Sequence, residues 1–189
     1  MHKGKIIILS GPSGSGKTTL HKELLASKKL KGKLVKSISA TTRPRRAGEK
    51  NGRDYLFLTV EEFLSKIQAG HFLEWQKVFE NYYGTPKAAV QKLLEKGKNV
   101  LLCIDVKGAE VVRREFPEAA AIFIKAPSLA ILKERLLARK SEDAAQLNIR
   151  LKTARQELST AKKFDYVIVN DDLNAALTRL ERVIHSLLV

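Results

Sequence analysis

Between Gly11 and Thr18 the chain reads GPSGSGKT, with Thr19 directly after it. The spacing G-x-x-x-x-G-K-[ST] is that of a loop that wraps phosphate. Small residues let the backbone N–H groups of Gly14, Ser15 and Gly16 turn inward, and the positive end of a following helix adds to them. Lys17 then reaches the β- and γ-phosphates, and the Thr18 hydroxyl is placed to bind Mg²⁺. The run Gly11, Pro12, Ser13, Gly14, Ser15, Gly16, Lys17, Thr18 and Thr19 is therefore expected to hold a nucleoside triphosphate. The loop alone leaves a GTPase, an ATP-driven motor and a small-molecule kinase open. DVKG at 105–108 fits the short D-x-x-G pattern of GTPases, but no N-K-x-D follows to read guanine in their manner.

Such a loop needs a buried strand before it and a helix behind it. KIIIL at 5–9 supplies the strand, and similar apolar runs recur as YLFL (55–58), NVLLCIDV (99–106), AIFIK (121–125) and YVIVN (166–170). Runs without polar alternation predict strands buried on both faces, as in a parallel sheet. Helix starts are marked between them. Thr59 with Glu62 reads as a capping box, and Gly70 is placed to end that helix. Thr85–Pro86 reads as a cap with proline at the first helical position. Ser128 opens one helix, Ser141 with Glu142 and Asp143 another, and the last starts near Asp172. Alternating strand and helix give an α/β fold with right-handed crossovers. The segment 36–85, rich in Arg, Gly, Thr and Tyr, reads as an insertion of mixed structure. The charged segment 135–155 reads as a mobile helical lid.

The 189 residues suit one domain. Lys and Arg number 35 against 20 acids, a formal net charge of +15 that favours polyanions without saying which. One cysteine, Cys103, cannot form an internal disulfide, and the four histidines lack metal-ligand spacing. No apolar run approaches a membrane span, so a cytoplasmic location is expected.

Taken in order, several blocks resemble the guanylate kinase family. They are the phosphate loop, SATTRPRRAGEKNGRDYLF (39–57), FLEWQKVFENYYGT (72–85), CIDVKGA (103–109), the arginine-rich lid and VIVNDDL (167–173). The resemblance implies a single domain over 1–189 with a P-loop α/β/α architecture. Its mostly parallel central sheet would come from 1–35, 86–134 and 160–189. An inserted α+β region for the nucleoside monophosphate would span 36–85, and a helical lid 135–159. It implies direct in-line transfer of the γ-phosphoryl group of MgATP to GMP, giving ADP and GDP.

By the same resemblance, Arg43, Arg46, Tyr55 and Tyr83 hold the acceptor phosphate. Guanidinium forks and phenol hydroxyls suit that dianion. Glu74 accepts from the guanine N1–H and N2–H, while Thr85 and Ser39 supply hydroxyls to the base. Adenine, whose N1 carries no proton, would leave the carboxylate unpaired. Asp105 serves near the acceptor and metal, Asn170 near the ATP adenine, and Arg139 and Arg150 close over the transferring group. Lys17, Arg43, Arg139 and Arg150 are thus the expected catalytic set, and Thr18 the metal residue. The chain departs from the family at Cys103, where many members carry aspartate. Arg45 stands where proline is usual, and ARK (138–140) where the lid often reads G-R-G. Three rivals remain: a kinase for another phosphate ester, a protein-binding scaffold, and an RNA binder. The intact loop opposes the scaffold. The absence of a recognisable RNA motif opposes the RNA binder, so no specific nucleic acid is expected. Oligomeric state is left open.

Overall fold

The computed structural model describes residues 4–78, 80–138 and 144–188. Its central sheet has five strands: β1 (Ile6–Ser10), β2 (Leu34–Lys36), β7 (Asn99–Cys103), β8 (Ala120–Lys125) and β9 (Tyr166–Val169). They are all parallel, in the order β2-β7-β1-β8-β9. β1 lies in the middle with all five residues buried. Side chains alternate across a strand, so its apolar run feeds two cores. Ile7 and Leu9 pack with Leu20 and Leu24 of α1 (Lys17–Ala26) and with Ala176, Leu180 and Ile184 of α7 (Leu173–Leu188). Ile6 and Ile8 pack on the opposite face with Val90 and Leu94 of α3 (Lys87–Glu95) and Ala109 and Val112 of α4 (Val106–Glu115). This is the expected three-layer arrangement. Among the described residues no helix is long and apolar enough to cross a membrane.

A second, four-stranded sheet holds β3 (Ala40–Thr41), β4 (Leu56–Phe57), β5 (Phe72–Val78) and β6 (Asn81–Pro86), in the order β4-β3-β6-β5. The YLFL run belongs here, as the two half-buried residues of β4, and not in the parallel sheet. Its apolar character comes from aromatic packing around Arg43. Helix α2 (Val60–Gln68) carries the expected capping box at Thr59 and Glu62, and Gly70 turns the chain at φ 66° just past its end. Fully buried Phe63 of α2 stacks on Phe72 and Tyr82, with ring centroids 4.4 and 5.5 Å away. This second sheet joins the first through Leu73, which is buried in the core beneath α3 and α4.

Two start signals read differently in three dimensions. Thr85 and Pro86 end β6, Pro86 stands at the cap position of α3, and no side chain caps that helix. Strand pairing with β5 takes Thr85 before the helix begins. NVLLCIDV ends as a strand at Cys103, because Asp105 caps α4 by accepting from the Gly108 N–H at 2.7 Å. Ser128 does cap α5 (Leu129–Leu137), and Asp172 accepts from the Ala175 N–H at the start of α7. Ser141, Glu142 and Asp143 lie outside the described residues, and α6 runs from Ala144 to Ser159. Truncation of Phe63 to Ala removes the ring that joins α2 to the second sheet. It is expected to cost about 3–5 kcal/mol, read as a lower urea midpoint with unchanged slope.

Candidate active site

The phosphate loop spans the gap between β1 and α1, and its glycines are required by geometry. Gly11, Gly14 and Gly16 have φ of 136°, 84° and 90°, the region side chains avoid. A Cβ on Gly11 would stand 2.0 Å from the Ile124 carbonyl oxygen, and one on Gly16 2.1 Å from Asn170 Nδ2. The Ser15 N–H donates to the Pro12 carbonyl at 3.2 Å, closing the loop on itself. Lys17 Nζ bridges the carbonyls of Gly11 and Pro12, the latter at 3.0 Å. Ser13 is half-buried and Ser15 buried, while Thr18 and Thr19 are exposed on the first turn of α1.

Asn170 follows β9, is buried, and donates from Nδ2 to the Ser15 carbonyl at 2.8 Å. Its amide therefore braces the loop. Arg135 donates to the Asn170 carbonyl at 3.0 Å and ties α5 to the same point. A pocket of about 360 Å³ lined by Gly14, Gly16, Thr19, Arg135, Asn170 and Leu173 opens beside the loop. A hollow of about 500 Å³ between the end of α1 and α7, lined by Lys29, Arg182 and His185 among others, holds none of the predicted residues.

Of the residues expected to bind the acceptor, the structure brings two groups together. The first is Arg43, Tyr55 and Tyr83. The Arg43 guanidinium lies 5.1 Å from the Tyr55 ring centre, and the Tyr55 and Tyr83 rings are 6.3 Å apart. Burial pushes the Tyr55 phenol up, so it stays a hydrogen-bond donor. Arg43 forms a two-pronged ion pair with Glu49, at 2.7 and 2.6 Å. The Arg43 bond holds the half-buried Glu49 carboxyl down at about 2, and raises Arg43 further. Glu49 had no role in the sequence reading, since an acid amid RPRRAGEKN looks like an ordinary solvated charge. Arg46 is exposed and its backbone N–H also donates to Glu49, at 2.8 Å. Ser39 is half-buried beside β3, and its carbonyl accepts from Leu56.

The second group is Glu74, Thr85 and Asp105. Glu74 is 6% exposed and Thr85 fully buried. The Thr85 hydroxyl donates to Glu74 Oε1 at 2.6 Å. These two residues pair across β5 and β6 immediately after a register shift between Phe72 and Glu74. A regular strand sends neighbours to opposite faces, and a bulge re-aims one of them. Here consecutive Leu73 and Glu74 are both buried, Leu73 in the central core and Glu74 toward α4. Burial raises the Glu74 carboxyl to about 7, with Thr85 hydrogen bonds opposing and the Asp105 charge adding to the rise. Gly108 makes room for it: a Cβ there would lie 2.7 Å from Glu74 Oε2.

α6 contributes two more groups. Arg150 is half-buried on it, whereas Arg139 lies outside the described residues. Glu157, which the sequence did not single out, is also raised to about 7 by burial, with Lys17 opposing and Asp105 adding. Cys103 is half-buried at the end of β7, and burial pushes its thiol up while Lys17 and Lys36 pull it down.

Residues 3–187 match the guanylate kinase family profile. The chain belongs to the guanylate kinase family. It is 48% identical to a guanylate kinase of Synechocystis sp. over 96% of this chain and 94% of that one. It is 44% identical to one from Caldanaerobacter subterraneus subsp. tengcongensis over 96% and 87%. The crystal structure of guanylate kinase from Anaplasma phagocytophilum superposes with a TM-score of 0.78 at 35% identity, covering 98% of this chain and 87% of that one. The reaction of the family is phosphoryl transfer from ATP to GMP, which makes this chain a transferase of purine nucleotide metabolism.

Two expectations follow from the geometry. Gly108→Ala would set a Cβ 2.7 Å from Glu74 Oε2 and displace the carboxylate, so with Glu74 as the expected guanine reader KM for GMP should rise about tenfold or more while KM for ATP holds. Steady-state kinetics with each substrate varied check this. A protonated Glu74 would turn one acceptor oxygen into a donor, so the expected role of Glu74 at guanine requires the ionised form. KM for GMP should therefore fall about tenfold as pH rises from 6 to 8 through the titration near 7. In Glu74→Gln only the GMP phosphate's own titration remains, with a pKa of ~6.

Proposed function

We propose that this chain carries out the guanylate kinase reaction with one carboxylate reading the base and a separate arginine–tyrosine group holding the acceptor phosphate. The observation that carries this is the buried Glu74–Thr85 pair beside Gly108 of α4. Guanine presents N1–H and N2–H side by side, and a carboxylate accepts both. Thr85 has one hydroxyl hydrogen, and Glu74 now takes it. Guanine, by satisfying Glu74, would free that hydrogen for O6. Ser39, next to β3, would add a further hydroxyl. Adenine would leave both the carboxylate and the hydroxyl poorly paired in a dry site.

ATP would lie on the loop N–H groups of Gly11 and residues 13–19, with its base toward the pocket that Asn170 borders. Lys17 would turn from the loop carbonyls to the phosphates. The Thr18 hydroxyl is a hard oxygen exposed on the first turn of α1, the kind of single protein ligand that Mg²⁺ takes alongside substrate phosphates. The ion would offset charge on the β- and γ-phosphates. Arg43, Arg46, Tyr55 and Tyr83 hold the GMP phosphate in line. One of its oxygens bonds the γ-phosphorus while the bond to the β–γ bridging oxygen breaks, and ADP leaves with that electron pair. Lys17, Arg43, Arg139 and Arg150 stabilise the spreading charge. The acceptor is already a dianion at neutral pH, so no general base is required. Segments 36–85 and 135–159 act as acceptor module and lid over the core, and the reaction is placed in the cytoplasm, with its nucleotide pools.

Coupled ADP release from MgATP with GMP, AMP, CMP and UMP in parallel tests the reading. GMP should be preferred over AMP by ~10⁴-fold in kcat/KM. Glu74→Gln should lose most of that preference with ATP binding kept, and Lys17→Ala should lose turnover with every acceptor. An unaltered GMP rate in Glu74→Gln would remove Glu74 from the base site.

A further inference from the structure

We infer that Glu49 is a positioning residue for the acceptor phosphate, gripping one edge of the Arg43 guanidinium so that its other edge stays aimed and open. The inference rests on reading Arg43 as a ligand of the GMP phosphate.

A guanidinium has five N–H groups. Nη1 and Nη2 each donate one to Glu49, at 2.7 Å to Oε2 and 2.6 Å to Oε1. The second Nη1 hydrogen goes to the Pro44 carbonyl at 2.9 Å. Three donors are thereby placed. The Nε–H and the remaining Nη2–H lie side by side along one edge, and that edge is itself a fork matched to two phosphate oxygens. Tyr55 and Phe57 flank the guanidinium, with ring centres 5.1 and 5.7 Å from Cζ, and limit how far the plane can turn. The Arg43 side chain is only 10% exposed.

The same carboxylate accepts from the Arg46 backbone N–H at 2.8 Å, so it also sets the turn that carries the second phosphate arginine. Held at about 2, Glu49 stays ionised across any working pH. A carboxylate beside a phosphate site costs some attraction. Glu49 limits that cost by taking the edge away from the incoming phosphate, and in exchange the ordering of a long, flexible side chain is done before substrate arrives. A lysine at position 43 could not substitute, since it has no second edge.

The test is a double-variant cycle on the full chain, with Glu49→Gln, Arg43→Met and the combination, reading KM for GMP, KM for ATP and thermal melting. Glu49→Gln is expected to raise KM for GMP about tenfold or more, with KM for ATP within about twofold. In the Arg43→Met background the same change should add nothing. Glu49→Asp, too short to span both Nη atoms, should fall between wild type and Glu49→Gln, and it serves in place of Glu49→Gln should that variant fail to fold. Losses that add in the double variant would mean a loop-folding role and overturn the inference. An unchanged KM for GMP in Glu49→Gln would overturn it too, and a lowered one would show Glu49 competing with phosphate. Arg43→Met with normal KM for GMP would sink the acceptor-site reading itself, whereas a raised KM there with silent Glu49→Gln sinks only the role of Glu49.

Discussion

The Glu74 carboxylate sits 2.6 Å from the Thr85 hydroxyl, almost wholly out of water. Ionising it there is unfavourable, and a single hydroxyl with one backbone N–H does not compensate fully. The surrounding structure exists to maintain this condition. A bulge in β5 turns Glu74 inward, Leu73 beside it anchors the strand in the central core, and Gly108 lets α4 approach within contact. A carboxylate kept short of partners distinguishes a base that brings two donors from one that brings fewer. In the proposed reading the selectivity comes from the poverty of the empty site as much as from the contacts in the filled one.

In the proposed reaction the two substrates are handled by opposite means. The phosphate loop uses backbone: its glycines turn where side chains would strike Ile124 and Asn170, and amides provide the positive field. The acceptor region uses side chains on a small, aromatic sheet, where Tyr55, Phe57, Phe63 and Tyr82 supply the packing that a short sheet lacks. Asp105 stands where these regions meet. It caps α4 through Gly108 and its charge reaches both Glu74 and Glu157. A change at Asp105 is thus a change to helix position and to two titrations together.

Features that depend on a few adjacent residues were legible in the sequence: the phosphate loop, the Thr59–Glu62 box and the Ser128 cap. So was the alternation of strand and helix that sets the central layers. Features created by distant pairing were not. Thr85–Pro86 looks locally like a helix start, yet pairing across β5 and β6 gives Thr85 to Glu74. YLFL looks like a buried parallel strand, yet only Leu56 and Phe57 pair, and on a half-buried edge. The bulge before Glu74 leaves no mark in composition. Glu49 was hidden for a different reason: its partner lies six residues back in a run so basic that any acid there has many cationic neighbours in sequence and no particular one.

The central claim is that Glu74 meets guanine as an ion that burial had kept near half-protonated. Calorimetry of GMP binding at pH 7, repeated in buffers of different ionisation enthalpy, counts the protons released. The account predicts release of about half a proton beyond the small share of the GMP phosphate, and loss of that excess in Glu74→Gln. Equal proton counts for the two proteins would contradict it.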